Sequence, residues 1–581
     1  MKKIKIFSIS TLVTCLAMFS CIQDTNPETD VIIDKQIDGN SPEAMAALVN
    51  AIPGMMVAYE NTDAGIEVVS YGGLQVMLEM MTTDMVISGY NGFDTTGAFA
   101  AAQSLNGKLN NRGKYPFFVY FGYIKAVNDI IKLIDKNSTD PVIRGYRGIA
   151  YTFRALYYMD LCAIYEFKEN DYLKPTQNLK GLGVPIVTES TTENEAKNNP
   201  RATVEKVYEL IFSDLAIAEE MLKDYKRTSK DLPNLAVVYG LYARAYLNRA
   251  SDNVPGAYAK AAEYARKAIN ESGCVPLSKD QWEDPINGFN NMNTQNSWML
   301  ATSISPDNRK AATEGSFNFT MLLSSEQSWT VYGWRVGRSL SRKTYDAISE
   351  GDFRKYSWLD HTFFLEEGND YSGYQYKVCS SFAHLRKQIT KANGFNAWPN
   401  VYVSIKFRPG SGNYTTSSVG GATDYPMMRV EEMYFIEAEA TAHINLGSAQ
   451  NILNELMSHR MIESYTYDCT AKTQDLNSFM DELILQKRIE FWGEGRNYYD
   501  AKRLALGLHR GYTGINSSSY KNTFNINGIA PQWTLPFPTA EEEGNVGIGK
   551  TFDNPDPSST GRWWAKDDDQ LKEGYGKYVK N

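Results

Sequence analysis

Residues 234–270 read NLAVVYGLYARAYLNRASDNVPGAYAKAAEYARKAIN, and this stretch decides the fold. Ala236, Gly240, Ala243 and Ala245 are set among Leu241, Tyr242, Tyr246 and Leu247, and the next run, AYAKAAEYARKAIN, repeats the pattern with Ala261, Ala265, Ala268 and Ile269. Spacings of three and four gather such side chains on one helical face. Small residues beside large ones let two helices approach closely, so the stretch predicts a packed helix pair. Just upstream, from Thr203, an apolar stripe runs through Val204, Val207, Tyr208, Ile211, Phe212, Leu215 and Leu222. Further helices are predicted over Pro116 to Asp135, Ile143 to Glu166, Val430 to Ile444 and Ala449 to Met461, with a last one from Leu476 to Leu506. Helix pairs thus fill roughly 113–271 and 425–506.

Pairs that alternate Ala with aromatic positions resemble tetratricopeptide units. The fold class is therefore mainly α: tetratricopeptide-like helix pairs with a long, irregular, loop-rich insertion. That insertion is 272–424, rich in Gly, Asn, Ser and Tyr and without a sustained helical period. Six of the ten Trp fall in it, at 282, 298, 329, 334, 358 and 398, and 18 of the 86 residues in 317–402 are aromatic. Helices supply rigidity and such loops supply recognition.

The chain has 581 residues, 43% hydrophobic and 22% charged, which is a folded rather than a disordered composition. Its net charge of −9 disfavours a nucleic-acid binder. Lys2, Lys3 and Lys5 precede an apolar run of 14 residues, Ile6 to Phe19. That run is too short to span a bilayer and reads as a secretory signal. It ends at Ser20-Cys21, similar to a bacterial lipobox, so Cys21 is the expected lipidated residue. The expected organisation is a signal peptide over 1–20, an acidic lipid-anchored tether over 21–41, an N-terminal helical part over 42–271, the aromatic insertion over 272–424, and a C-terminal helical part with a closing segment over 425–581. Cys162, Cys274, Cys379 and Cys469 lie far apart, which reads as lone buried thiols rather than a disulfide framework.

Signals of catalysis fail one after another. Residues 544–551, GNVGIGKT, fit the phosphate-loop pattern, but PFPTAEEE before and FDNPDPSST after offer neither the strand nor the helix that phosphate binding needs. The five His form no HExxH, and no GxSxG occurs. Glu437 and Glu439 are two apart on a helix and point to different faces, so they read as structural carboxylates. No cofactor is called for, and the question of a metal stays open. The remaining signal is aromatic. Trp329, Tyr332, Trp334, Arg335 and Arg338 combine rings that stack on sugar faces with groups that bond hydroxyls. Trp329, Tyr332 and Trp334 are the first candidate ligand-binding residues, with Tyr374 behind them. Tyr90, Asn91, Phe93 and Asp94 in an early loop form a candidate second wall. The alternative for each ring is a place in a local core under the loops.

Several segments, taken in order, resemble the SusD/RagB family of outer-membrane nutrient-binding lipoproteins. Phe117, Phe121, Ile124 and Asn128 match its early helix, and RGIAYTFRALYYMD at 147–160 is similar to its Arg-Ala-Leu-Tyr-Tyr helix. Gly183-Val184-Pro185, MMRVEEMYFIEAEA, ILQKRIEFWGEGRNYYDAKR and Leu535-Pro536-Phe537-Pro538 with Glu541 and Asn545 follow in family order. Gln486 and Lys487 depart from it, standing where a Glu-Arg pair is usual. The resemblance implies a non-enzymatic receptor facing the cell exterior, lipid-anchored in the outer membrane. Such a receptor captures glycans, or in some members peptides, and caps a SusC-like TonB-dependent transporter. No ligand motif carries over, so the candidate residues rest on composition and position. Trp492 and Tyr499 are expected in the core, and Arg488, Glu494 and Arg496 in structural ion pairs. A peptide receptor, a glycoside hydrolase and a ligand-free helical adaptor are the competing readings.

Overall fold

Helices start where side chains can satisfy their free N–H groups. In the computed structural model, which describes residues 41–57, 70–87, 111–307, 338–359, 402–413, 416–512, 515–516 and 524–557, the helices of eight residues or more are α1 (Pro42–Val57), α2 (Tyr71–Glu79), α3 (Asn111–Leu133), α4 (Pro141–Tyr165), α5 (Val204–Leu222), α6 (Leu235–Ser251), α7 (Ala257–Ser272), α8 (Val430–Ala442), α9 (Leu446–Ser458), α10 (Leu476–Glu490) and α11 (Arg496–Arg503). Asp140 caps α4 through Val142 N at 2.7 Å, with Pro141 in the first turn. Thr203, Asn234, Asn445 and Asp475 cap α5, α6, α9 and α10 in the same way. Gly256 and Gly273, both left-handed, bracket α7. Lys502 covers the last carbonyls of α4, donating to Ala163 O at 2.7 Å and Ile164 O at 3.2 Å.

Consecutive helices pack as pairs: α4 on α5, α6 on α7 and α8 on α9, with α7 joining the second pair to the third. Missing side chains permit the close approaches. Gly145 lies under the Tyr225 ring, and a Cβ at Gly240 would come within 2.5 Å of Met428 Sδ. The predicted stripe of α5 is buried at Val204, Val207, Tyr208, Ile211, Leu215 and Leu222.

The fold departs from expectation in two places. The helix predicted over Leu476 to Leu506 is two helices, broken at 491–495 where Gly493 and Gly495 take positive φ. Short strands also occur. β1 (Met85–Ile87), β2 (Trp298–Ser303), β3 (Arg338–Leu340), β4 (Trp358–Leu359), β5 (Val403–Ser404) and β6 (Asp424–Arg429) form an antiparallel β2–β6 pair and a four-stranded sheet ordered β1-β3-β5-β4. β7 (Leu508–His509) and β8 (Asn525–Ile526) form a third pair.

One hydrophobic core runs through helices, strands and the described part of 272–424 alike, joining Trp282, Trp298, Phe353, Trp358 and Phe407 to Leu241, Phe435 and Trp492. The closing segment seals it. Leu535 N donates to Ile164 O, and Phe537 packs 5.0 Å from Tyr165 and 5.6 Å from Phe117. Cys162 and Cys469 are buried free thiols and Cys274 is a partly buried one.

Candidate functional site

The four-stranded sheet is where the candidate segments are rooted. β1 and β3 are antiparallel, and Ile87 pairs with Arg338. Tyr90, Asn91, Phe93 and Asp94 follow Ile87 in the chain, Trp329, Tyr332 and Trp334 precede Arg338, and Tyr374 falls between β4 and β5. All eight lie outside the described residues, as does Cys21.

Their roots are held firmly. The Asp84 carboxylate takes both Arg488 Nε, at 2.5 Å, and Arg488 Nη2, and it accepts from Thr344 Oγ1 at 2.5 Å. The Asp84 carbonyl accepts from Ser341 N at 2.9 Å and Trp492 Nε1 at 3.3 Å. Arg510 is buried among carbonyls rather than carboxylates: Nε donates to Thr82 O at 2.8 Å, and Nη2 reaches Met80, Thr82 and Met85. Burial brings its pKa down to about 10, with Asp84 opposing. On β3, Asn516 donates to Leu340 O at 2.9 Å and accepts from Arg342 N at 2.9 Å, and Tyr512 Oη bonds Ser341 Oγ at 3.0 Å. The sheet is thereby fastened to α10 and to the chain after α11. Strands of two or three residues give no readable alternation, so the sequence carried no signal for this base.

For three rings of the insertion the core alternative holds. Trp282, Trp298 and Trp358 are buried; Trp282 Nε1 donates to Ser357 Oγ at 2.8 Å, and Trp358 packs edge-on to Trp492 at 5.8 Å. The expected structural roles are also met. Trp492 is fully buried and Tyr499 bonds Gln75 at 3.0 Å. Arg488 pairs with Asp84, Glu494 with Arg429 and Lys406, and Arg496 with Glu432.

Acid–base chemistry finds no support in the carboxylates weighed from sequence. Glu437 is engaged by Arg266, while Glu439 is engaged by Arg503 and Lys487. The phosphate-loop match also fails in space. A helix, Thr539–Gly544, precedes it where a strand is needed, residues 546–551 form turns, and Gly547 abuts the backbone of Pro200. Among the described residues no group of three His, Cys, Asp or Glu is arranged to hold a metal ion.

The residues that carry the family resemblance turn out to be internal fastenings. Arg154 forks onto Asp214 at 2.7 and 2.8 Å and donates to Asn128 Oδ1 at 2.8 Å. Asp160 accepts from Tyr71 Oη at 2.8 Å and Tyr120 Oη at 2.9 Å. Asn545 donates to Asn199 O at 2.7 Å and Glu541 at 2.9 Å. Their bonds tie segments far apart in the chain to one another.

Comparison with known proteins agrees. A family model described as starch-binding associating with outer membrane matches residues 80–247, and a SusD family model matches residues 282–556. A search of curated proteins returns no match. Among solved structures, a SusD-like carbohydrate binding protein from Bacteroides vulgatus superposes with a TM-score of 0.65 at 20% identity, covering 87% of this chain and 97% of that one. Surface glycan-binding protein A from Bacteroides thetaiotaomicron, in complex with laminarihexaose, gives 0.59 at 16% identity over 88% and 99%. Two family models in succession, with a shared fold over nearly the whole of those structures, establish that the chain belongs to the SusD/RagB family.

Proposed function

We propose that the protein is a cell-surface lipoprotein that binds oligosaccharide or polysaccharide nutrients and passes them to a SusC-like TonB-dependent outer-membrane transporter, without catalysing a reaction on them. The observation that carries the reading is the common root of the two aromatic segments. Tyr90 to Asp94 and Trp329 to Trp334 leave from a pair of neighbouring strands whose ends meet at Ile87 and Arg338. In a chain of this family, rings and polar side chains on segments that share this root suit a ligand with apolar faces and hydroxyl rims. Trp329, Tyr332 and Trp334 form the stacking wall, Tyr374 adds to it, and Tyr90, Asn91, Phe93 and Asp94 form the facing wall. Lipid on Cys21 holds the body at the outer membrane, facing the exterior.

Screening plant and host polysaccharides by native gel electrophoresis, while assaying for new reducing ends, tests the core of the proposal. Retardation by a glycan without new ends is expected. Hydrolysis would make the protein a glycosidase, and retention of peptides alone would make it a peptide receptor. For the anchor, Cys21→Ala should move the protein out of the membrane fraction. Protease added to intact cells should remove the wild-type protein, whereas survival until lysis would put it on the periplasmic side.

A further inference from the structure

We infer that the helical scaffold carries a second saccharide site, a polar groove on the connection between α4 and α5. The groove has a volume of about 550 Å³, within the range of small-molecule sites, and is lined by Ile186, Ser190, Thr191, Asn194, Asn198 and Asn199, with Glu195 at its edge. None of these residues bonds to the four-stranded sheet.

Its walls are fixed in advance. Asn199 is held from three directions: its N–H donates to Asn545 Oδ1 at 2.9 Å, its amide donates to Ile186 O at 2.8 Å, and its carbonyl accepts from Asn545 Nδ2 at 2.7 Å. Thr191 Oγ1 accepts from Thr188 N at 2.9 Å. Thr192 and Glu195 form a capping box that binds the Glu195 carboxylate to Thr192 N and Oγ1, each at 2.8 Å. Two lining side chains are left over. Asn194 and Asn198 are exposed and make no side-chain hydrogen bond among the described residues. Asn194 lies on the short helix Glu193–Ala196 and Asn198 just past its C-cap, Lys197, and both line the same groove.

The chemistry of the lining selects the ligand class. Each free amide offers two N–H donors and a carbonyl acceptor, which matches hydroxyl groups that both give and take hydrogen bonds. Half-buried Ile186 supplies an apolar floor for a C–H face. The lining carries a single charge, the Glu195 carboxylate, whose Oε2 is taken by the capping box and whose Oε1 can accept from a hydroxyl, while Glu193 pairs with Lys197 at 2.5 Å. An anion would find no cation in the lining, and one carboxylate is too few to hold a metal ion. A neutral polyhydroxylated chain fits.

The inference takes its ligand class from the proposed function and adds a second point of attachment. A long glycan could then engage both sites at once, gaining avidity that a short one cannot. The test uses Asn194→Ala/Asn198→Ala, which removes exposed side chains without partners and should leave the melting temperature unchanged. Retention in gels containing the polysaccharide that retards the wild type most should weaken about ten-fold, while calorimetric affinity for a hexasaccharide cut from that polymer stays the same. Unchanged retention, or equal losses for polymer and hexasaccharide, would overturn the second site. Trp329→Ala, by contrast, should weaken both ligands. If no polysaccharide in the panel retards the wild type, the receptor reading itself fails, and this inference with it.

Discussion

Glu490 has no exposed surface, yet it faces three guanidinium groups, with Arg354 at 2.9 Å, Arg429 at 3.0 Å and Arg460 at 2.9 Å. Burial pushes its carboxyl up, but Arg460, Arg429 and Arg354 outweigh that and hold it well below the ordinary carboxylate range. Glu490→Gln keeps the shape and removes the charge, leaving buried cations undercompensated. Breaking a buried pair in this way costs about 3–5 kcal/mol, measurable as a lowered urea midpoint at pH 7. The pH dependence follows from the sign of the shift. A carboxylate depressed on folding stabilises the native state above its unfolded value, near 4.5, and that contribution is lost as pH falls through the folded value. The gap between wild type and Glu490→Gln should therefore narrow in acid; a gap that widened there would refute the assignment. Trp329 and Trp334 are expected to behave in the opposite manner. As stacking platforms each is worth about 1 kcal/mol of binding, so Trp329→Ala or Trp334→Ala should weaken glycan binding roughly five-fold with little change in melting temperature. A buried Trp would instead cost about 3–5 kcal/mol of stability. Large drops in melting temperature, or normal binding, would remove these rings from the site.

Among the helices and strands, the break between α10 and α11 shows what periodicity hides. ILQKRIEFWGEGRNYYDAKR keeps a helical spacing of large residues, but Gly493 at φ 80° and Gly495 at φ 79° turn the chain. The turn closes over Glu79, whose carboxylate accepts from Gly493 N at 2.8 Å, Asn497 Nδ2 at 3.0 Å and Gly495 N. A residue more than four hundred positions upstream thus fixes the break, and no local window contains it. Helices such as α5 and α6 were legible because their stripes and caps are local. The strands were not, because β1 and β3 are three residues long and find their partners far along the chain. The break gives a graded prediction. At Gly256, with φ 74°, a Cβ would meet open space, whereas at Gly495 the same atom would overlap Gln75. Gly256→Ala should cost about 1 kcal/mol from the left-handed backbone alone. Gly495→Ala adds the collision and should cost distinctly more, about 2–3 kcal/mol. Equal losses in paired denaturation curves would mean that the loop over Glu79 yields freely.

Across the molecule, the aromatic excess divides into two uses. Trp282, Trp298 and Trp358 belong to the core shared with α8 and α10, a role that composition alone could not tell from ligand stacking. Composition reports how many rings there are; burial depends on which strand or helix each one meets. Trp329 and Trp334 differ from those three in lying on the segment that leads into β3, which is why the ligand role is proposed for them and not for the others. The shared core has a consequence for unfolding. Arg354 and Lys406 come from the insertion, Arg429 from β6, Arg460 from the end of α9, and their partners Glu490 and Glu494 from α10 and the turn after it. A charge cluster of this kind tolerates no partial opening, since withdrawing one segment strands buried charge on the others. The described parts of 272–424 should therefore melt together with the helix pairs. Tryptophan fluorescence is weighted toward the insertion, which holds six of the ten Trp, while far-ultraviolet circular dichroism is weighted toward the helices. Coincident transitions by the two probes are the signature of a single cooperative unit. If fluorescence changes at a clearly lower denaturant concentration than ellipticity, the insertion opens on its own, and the buried charge cluster does not couple it to the scaffold.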